Sequence, residues 1–185
     1  MKGMHKTKVS TKKMKEFIND MANQYTMQFN VYREERIGDT LLDFYAEFKR
    51  RDEKYLMSKS IKVWSVENQQ YAFVKHQEQA ITPSDIKKFA KDIDARIKEF
   101  VPSKREHMST FFIGFIVTNQ PIDKAVLKEV KKARKLQFLK FGLHGWADRY
   151  IAIVDLTERK VLVNNKGREF VKGFQDALLK GEARV

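Results

Sequence analysis

The sequence predicts a mixed α/β fold: one domain with a mixed sheet of five to six strands and helices on both faces. Three stretches carry this expectation. Tyr71-Ala-Phe-Val-Lys-His76 is a short apolar run, and Thr82-Pro-Ser-Asp85 is a helix-start signal followed by Ile86, Phe89, Ala90, Ile93, Ile97 and Phe100. Phe111-Phe-Ile-Gly-Phe-Ile-Val117 is apolar at all but one position, which marks a strand covered on both faces. Strand, helix and buried strand together describe a βαβ crossover.

The elements follow in order. Residues 1–10 read as a flexible basic arm, within a stretch to Lys15 that holds six lysines and no acid. Met14, Phe17, Ile18, Met21, Ala22 and Tyr25 recur at helical spacing, with Ser10 or Thr11 as cap. Asn30 to Asp39 reads as a polar connection broken at Gly38. Leu42, Phe44, Ala46 and Phe48 alternate with polar neighbours, as in a strand with one wet face. Arg50-Arg-Asp-Glu53 reads as a tight turn, Tyr55 to Val66 as a second strand bent near Ser58 to Ser60, and Glu67 to Gln70 as another turn. Beyond the buried strand, Val126, Leu127, Val130 and Ala133 predict a helix from Pro121 that ends before Gly142. Tyr150-Ile-Ala-Ile-Val154 predicts a second buried strand, parallel and adjacent to the first. Lys160 to Val163 folds back as an edge strand, and a last helix spans about Gly167 to Lys180. The predicted order is αβββαβαββα.

Composition narrows the chemistry. At 185 residues the chain has the length of one domain, residues 1–185. No run approaches the roughly 20 apolar residues of a membrane span, and the N-terminus lacks the apolar core of a signal peptide, so a cytoplasmic protein is expected. Without cysteine there is no disulfide, thiolate metal site or cysteine nucleophile. The 37 Lys and Arg against 24 Asp and Glu leave a net charge of +13. That field attracts DNA or RNA first and an acidic membrane surface or acidic proteins second, although charge of this size also serves solubility alone.

The order of helix, three-stranded meander, crossover helix and buried strand resembles the core of the restriction-endonuclease-like superfamily. Ala72-Phe-Val-Lys75, the helix from Pro83 and Ile113-Gly-Phe-Ile-Val-Thr-Asn119 look most like its Mrr-type branch. The resemblance covers about Lys12 to Leu156. It implies an acid on the second strand and Asp/Glu-x-Lys on the third, holding a divalent metal that activates water. Lys75 matches the lysine, but Phe73 stands where the acid is expected, and Ser60-Ile-Lys-Val-Trp64 offers no Asp. No ordinary nuclease activity and no cofactor are therefore expected. The alternative is an Mg²⁺-dependent phosphodiester hydrolase with a migrated site that draws on Lys75 with Asp43, Glu47, Glu67 or Glu78.

Three constellations remain. Between Lys124 and Lys140 there are seven basic residues and one acid, and Lys124, Lys128, Lys131 and Lys135 fall at i, i+4, i+7 and i+11 on one helical stripe. Like charges at that spacing cost a few tenths of a kcal/mol per pair, so a phosphate backbone is one reason for them and a solvated face the other. His144, Trp146, Asp148 and Arg149 lie within six residues, beside the flexible Gly142 and Gly145, and make a candidate pocket, against a kinked loop with Trp146 packed under it and Asp148 and Arg149 solvated. Glu106 and His107 could join His144 or His76 at a metal, but no metal-ligand spacing supports a site. GxGxxG, GxxxxGK[ST] and GxSxG are all absent. The expectation is a non-catalytic nucleic-acid-binding domain on a degenerate nuclease-like core, with an interaction protein for an acidic partner as a further alternative.

Overall fold

A computed structural model describes residues 9–55, 62–101 and 107–181, with the side chains of 49–55, 62–68, 98, 107, 108 and 140 outside that description. Helix α1 (Thr11–Tyr25) starts where Ser10 accepts from the Lys13 amide, and it buries Met14, Ile18, Met21 and Ala22. Val9 and Ser10 are thus held: Asn119 Nδ2 donates to the Val9 carbonyl at 2.7 Å. The rest of the expected flexible arm lies outside the described residues. Strand β1 (Asn30–Arg33) and a small hairpin of β2 (Arg36–Ile37) and β3 (Thr40–Leu41) follow. Gly38 turns that hairpin at φ 55°, a left-handed angle that glycine adopts without strain.

The expected polar connection from Asn30 to Asp39 therefore contains strands. A larger difference follows it. Strands β4 (Phe44–Tyr55) and β5 (Lys62–Gln77) form one long antiparallel hairpin, with Arg50 opposite Asn68 and Arg51 opposite Glu67. The turns expected at Arg50 to Glu53 and at Glu67 to Gln70 are both continuous strand. Polar residues signal turns in a core, but a ladder that runs past the core satisfies its backbone between its own two strands. The bend expected at Ser58 to Ser60 falls outside the described residues. The meander is thus β1-β4-β5, not three strands between Leu42 and His76.

Helix α2 (Pro83–Phe100) opens with a capping box between Thr82 and Asp85 and leads into β6 (His107–Thr118). Helix α3 (Lys124–Lys132) is capped by Asp123 and crosses to the central strand β8 (Trp146–Asp155). Strands β5, β6 and β8 are parallel neighbours. The expected continuation of α3 toward Gly142 does not form. The chain turns at Ala133 into β7 (Arg134–Phe138), which pairs antiparallel with β8. Strand β9 (Lys160–Leu162) also pairs with β8, as an edge strand, and α4 (Lys172–Lys180) closes the chain after a 3₁₀ segment. The main sheet runs β1-β4-β5-β6-β8-β7, with β9 beside β8.

Strand alternation sorts side chains to two cores. On one face α1 and α4 cover Phe44, Ala72, Val74, Phe115, Ala152 and Val154, with Phe115 stacked on Phe174 at 4.2 Å between ring centres. On the other, α2 and α3 cover Phe73, Phe112, Ile116, Ile151 and Ile153. Gly114 is where α2 comes closest: a Cβ there would lie 2.7 Å from both Ile93 and Phe89. The one non-apolar position in that run is the contact that lets the helix pack.

Candidate nucleic-acid interface

The nuclease-like position can be built residue by residue. Phe73 and Lys75 share one face of β5, two residues apart. Phe73 is buried in a stack of Tyr71, Phe112 and Phe100 rings, so the place of the expected acid is hydrophobic core. Lys75 Nζ sits 5.4 Å over the Phe89 ring and donates to Gln77 at 3.3 Å. Burial lowers its pKa from the ordinary lysine value, with Asp85 opposing that shift.

The antiparallel register brings Asp43, just before β4, beside the end of β5. Its carboxylate accepts from the His76 amide at 2.7 Å and lies 2.9 Å from His76 Nδ1. An Asp at the entry to β4 is thus placed beside β5, where the sequence predicts Ser60 to Trp64 as the neighbouring strand. That carboxylate is engaged by His76, and His76 Nε2 lies 4.0 Å from Glu78. Glu47 accepts from Tyr71 Oη at 3.0 Å, four strand residues from Asp43 or about 13 Å along β4. Glu67 is eight residues from Lys75, about 26 Å along β5. The four carboxylates therefore do not converge on Lys75. Among the described residues no group of three His, Asp or Glu is placed to hold a metal ion.

The loop constellation divides as well. Asp148 and Arg149 are neighbours on β8, so they point to opposite faces and engage different partners. Both are buried, at 3% and 7% exposure, rather than solvated. Asp148 accepts from Arg134 Nη2 and from Tyr150 Oη, each at 2.7 Å. Its hydrogen bonds hold the Arg134 pKa above its ordinary value. Burial first, and then the bond to Asp148, pushes the Tyr150 phenol up to about 12. On the far face Arg149 Nε reaches Asp94 at 2.9 Å, and Lys135 Nζ reaches the same carboxylate at 3.0 Å. Trp146 shares the Asp148 face, half-buried, and His144 lies in the preceding loop. His107 starts β6 at the same end of the sheet, its side chain outside the described residues. His76 is level with Val117, ten residues or about 33 Å from His107, which separates those two histidines.

The basic stripe is shorter than its spacing suggests. Lys124, Lys128 and Lys131 are exposed on α3, opposite buried Val126 and Val130. Lys135 leaves the stripe because it stands on β7 and is tied to Asp94. Sequence spacing missed the groove beside the stripe. Val161 and Leu162 of β9 and the following Val163 form its floor, and Lys131, Arg168 and Lys172 stand with Asp176 around a cavity of about 490 Å³. Arg168 and Lys172 are four residues apart, a signal present in the sequence but split between a 3₁₀ segment and α4. None of the ion pairs among the described residues uses Lys124, Lys128, Lys131, Arg168 or Lys172.

No helix among the described residues is long and apolar enough to cross a membrane. The chain matches no curated protein. The profile of one family matches residues 13–176, from within α1 to within α4 and so across the whole sheet. The chain belongs to the family described as Domain of unknown function (DUF8052).

Proposed function

We propose that this domain binds nucleic acid through the phosphate backbone, using α3 and the groove beside β9, on a nuclease-like core without catalysis. The observation that carries the reading is the partition of the cations. Arg134, Lys135 and Arg149 are ion-paired with Asp148 and Asp94, whereas Lys124, Lys128, Lys131, Arg168 and Lys172 face solvent together without an ion-pair partner among the described residues. Exposed cations of one sign on adjoining elements are the electrostatic footprint of a polyanion site. The sheet order β1-β4-β5-β6 with α1 and α2 on opposite faces supports the nuclease-like core, and Phe73 in the aromatic stack supports its lack of catalysis.

Each phosphate contact contributes about −0.9 to the slope of log K against log salt on duplex DNA, so five cations would give about −4.5. Changing Lys128 and Lys131 to Gln should flatten the slope by about 1.8 and weaken unrelated sequences alike. Lys135→Gln should leave the slope unchanged. Equal loss in that control would refute the assignment. No binding to duplex or single strand at low salt would refute nucleic acid altogether and leave an acidic protein as the partner. The hydrolase reading has its own support in the cleft at the end of β5, which Lys75, His76 and Asp85 line together. Metal-dependent cleavage with Mg²⁺ or Mn²⁺, lost on Lys75→Ala, would establish it instead.

A further inference from the structure

Strand β7 ends the sheet. Its inner edge pairs with β8, and among the described residues no strand pairs with its outer edge. Unpaired edges are normally guarded by outward charges, proline or a bulge, because their free amides and carbonyls recruit another strand. This edge lacks such a guard. It contains no proline, its pairing with β8 is without a register shift, and both its cations are tied to carboxylates of the same chain: Arg134 to Asp148 at 2.7 Å and the half-exposed Lys135 to Asp94 at 3.0 Å. Beside Lys135, what it shows to solvent is apolar. Leu136 is 41% exposed, Phe138 64%, and the turn that follows holds Phe141 fully exposed and Leu143 at 78%. Phe141 is held there at φ 57°, an angle uncommon for a bulky residue, in a turn closed by Leu139 and Gly145.

We propose that the chain forms a two-fold dimer in which β7 pairs antiparallel with β7 of a second copy, centred on Leu136. The register is self-complementary. Leu136 meets Leu136, Arg134 lies opposite Phe138, and Lys135 lies opposite Gln137, so no like charges face one another across the ladder. Leu136 and Phe138 share one face of the strand and would cover their counterparts. A second copy fits better than an acidic peptide, because the cations that would attract one are already engaged by Asp148 and Asp94. The two-fold runs perpendicular to the sheet, which keeps both α3 helices on the same side of the joined sheet. That last consequence bears on nucleic-acid binding and rests on the proposed function; dimerisation itself does not.

The absence of cysteine from the whole chain makes the register directly testable. Residues directly opposite in an antiparallel pair have Cα atoms about 4.5–5.5 Å apart, within disulfide range. Leu136→Cys in the full chain should give a disulfide-linked dimer under mild oxidation, and Lys128→Cys on α3 should not. Comparable cross-linking of the two would overturn the register. By sedimentation, the wild type should dimerise at micromolar concentration, and Leu136→Lys with Phe138→Lys should weaken the dimer at least about tenfold without changing the melting temperature. A wild type that stays monomeric, or a dimer that survives the double change, overturns the proposal. So does a dimer lost on Phe141→Ser with Leu143→Ser but kept in the β7 variant, since the turn and not the edge would then be the interface.

Discussion

Two groups of cations lie three residues apart in sequence and meet opposite fates. Lys131 and Lys132, at the end of α3, are exposed to solvent. Arg134 and Lys135, at the start of β7, are locked to buried or half-buried carboxylates. The turn at Ala133 separates them. It converts a helix, whose outer stripe faces water, into a strand whose alternate residues face two different cores. Formal charge therefore says little about the available field. What decides it is whether the fold supplies a carboxylate within about 3 Å.

The comparison can be broken most severely at Asp148. Asp148→Ala leaves Arg134 and the buried Tyr150 hydroxyl without their acceptor, and a loss of about 3–5 kcal/mol is expected in denaturant unfolding. Adding Arg134→Met to Asp148→Leu should recover most of that, since a well-packed apolar pair often replaces a buried ion pair at little cost. Failure to recover would mean that the pair does more than neutralise charge. Next comes Arg149→Ala, on the other face. Asp94 keeps Lys135, so about 2 kcal/mol is expected, the scale of hydrogen bonds to a charged group. A loss equal to that of Asp148→Ala would erase the distinction between the two faces.

A pH titration sharpens the same contrast. Tyr150 has an ordinary value of 10.0 and is raised to about 12 in the fold. The unfolded chain ionises first, so the neutral phenol contributes stability below pH 10, and this is lost as pH rises from 10 to 12. Tyr150→Phe should remove one late step from the phenolate absorbance titration and flatten the alkaline loss of stability. An unchanged absorbance titration would place Tyr150 among the ordinary phenols. The smallest effect belongs to the exposed stripe. Lys124→Gln or Lys128→Gln should change stability by no more than about 0.5 kcal/mol, and by a few tenths in the favourable direction if like-charge repulsion within α3 is relieved. A loss above 1 kcal/mol would show that these lysines are structural, and their place at an interface would fall with it.

Much of the candidate site was hidden for a physical reason. Lys124, Lys128 and Lys131 are local: helical spacing alone puts them on one face. Lys135 fits the same arithmetic but belongs to another element. Ala133 neither breaks a helix nor favours a strand strongly, so only pairing with β8 decides where α3 stops. The pocket read from His144 to Arg149 failed because proximity in sequence is not proximity in a strand, where neighbours part to opposite sides of the sheet. The groove beside β9 joins Lys131 to Arg168 and Lys172 across more than thirty residues, and no local pattern encodes that contact.

The sequence by itself determined the elements whose burial is complete. Phe111 to Val117 and Tyr150 to Val154 are apolar at nearly every position because both faces are covered, and that composition is legible without knowing what covers them. The capping box at Thr82 and Asp85 is equally local, since its donors and acceptors lie within four residues. Only the tertiary structure decided the rest: that the polar segments 50–53 and 67–70 are paired strand of β4 and β5, that Asp43 meets His76, and that Asp148 and Asp94 engage three of the cations. Each of these depends on a partner distant in the chain. A polar residue is compatible with turn, strand or helix until that partner is in place.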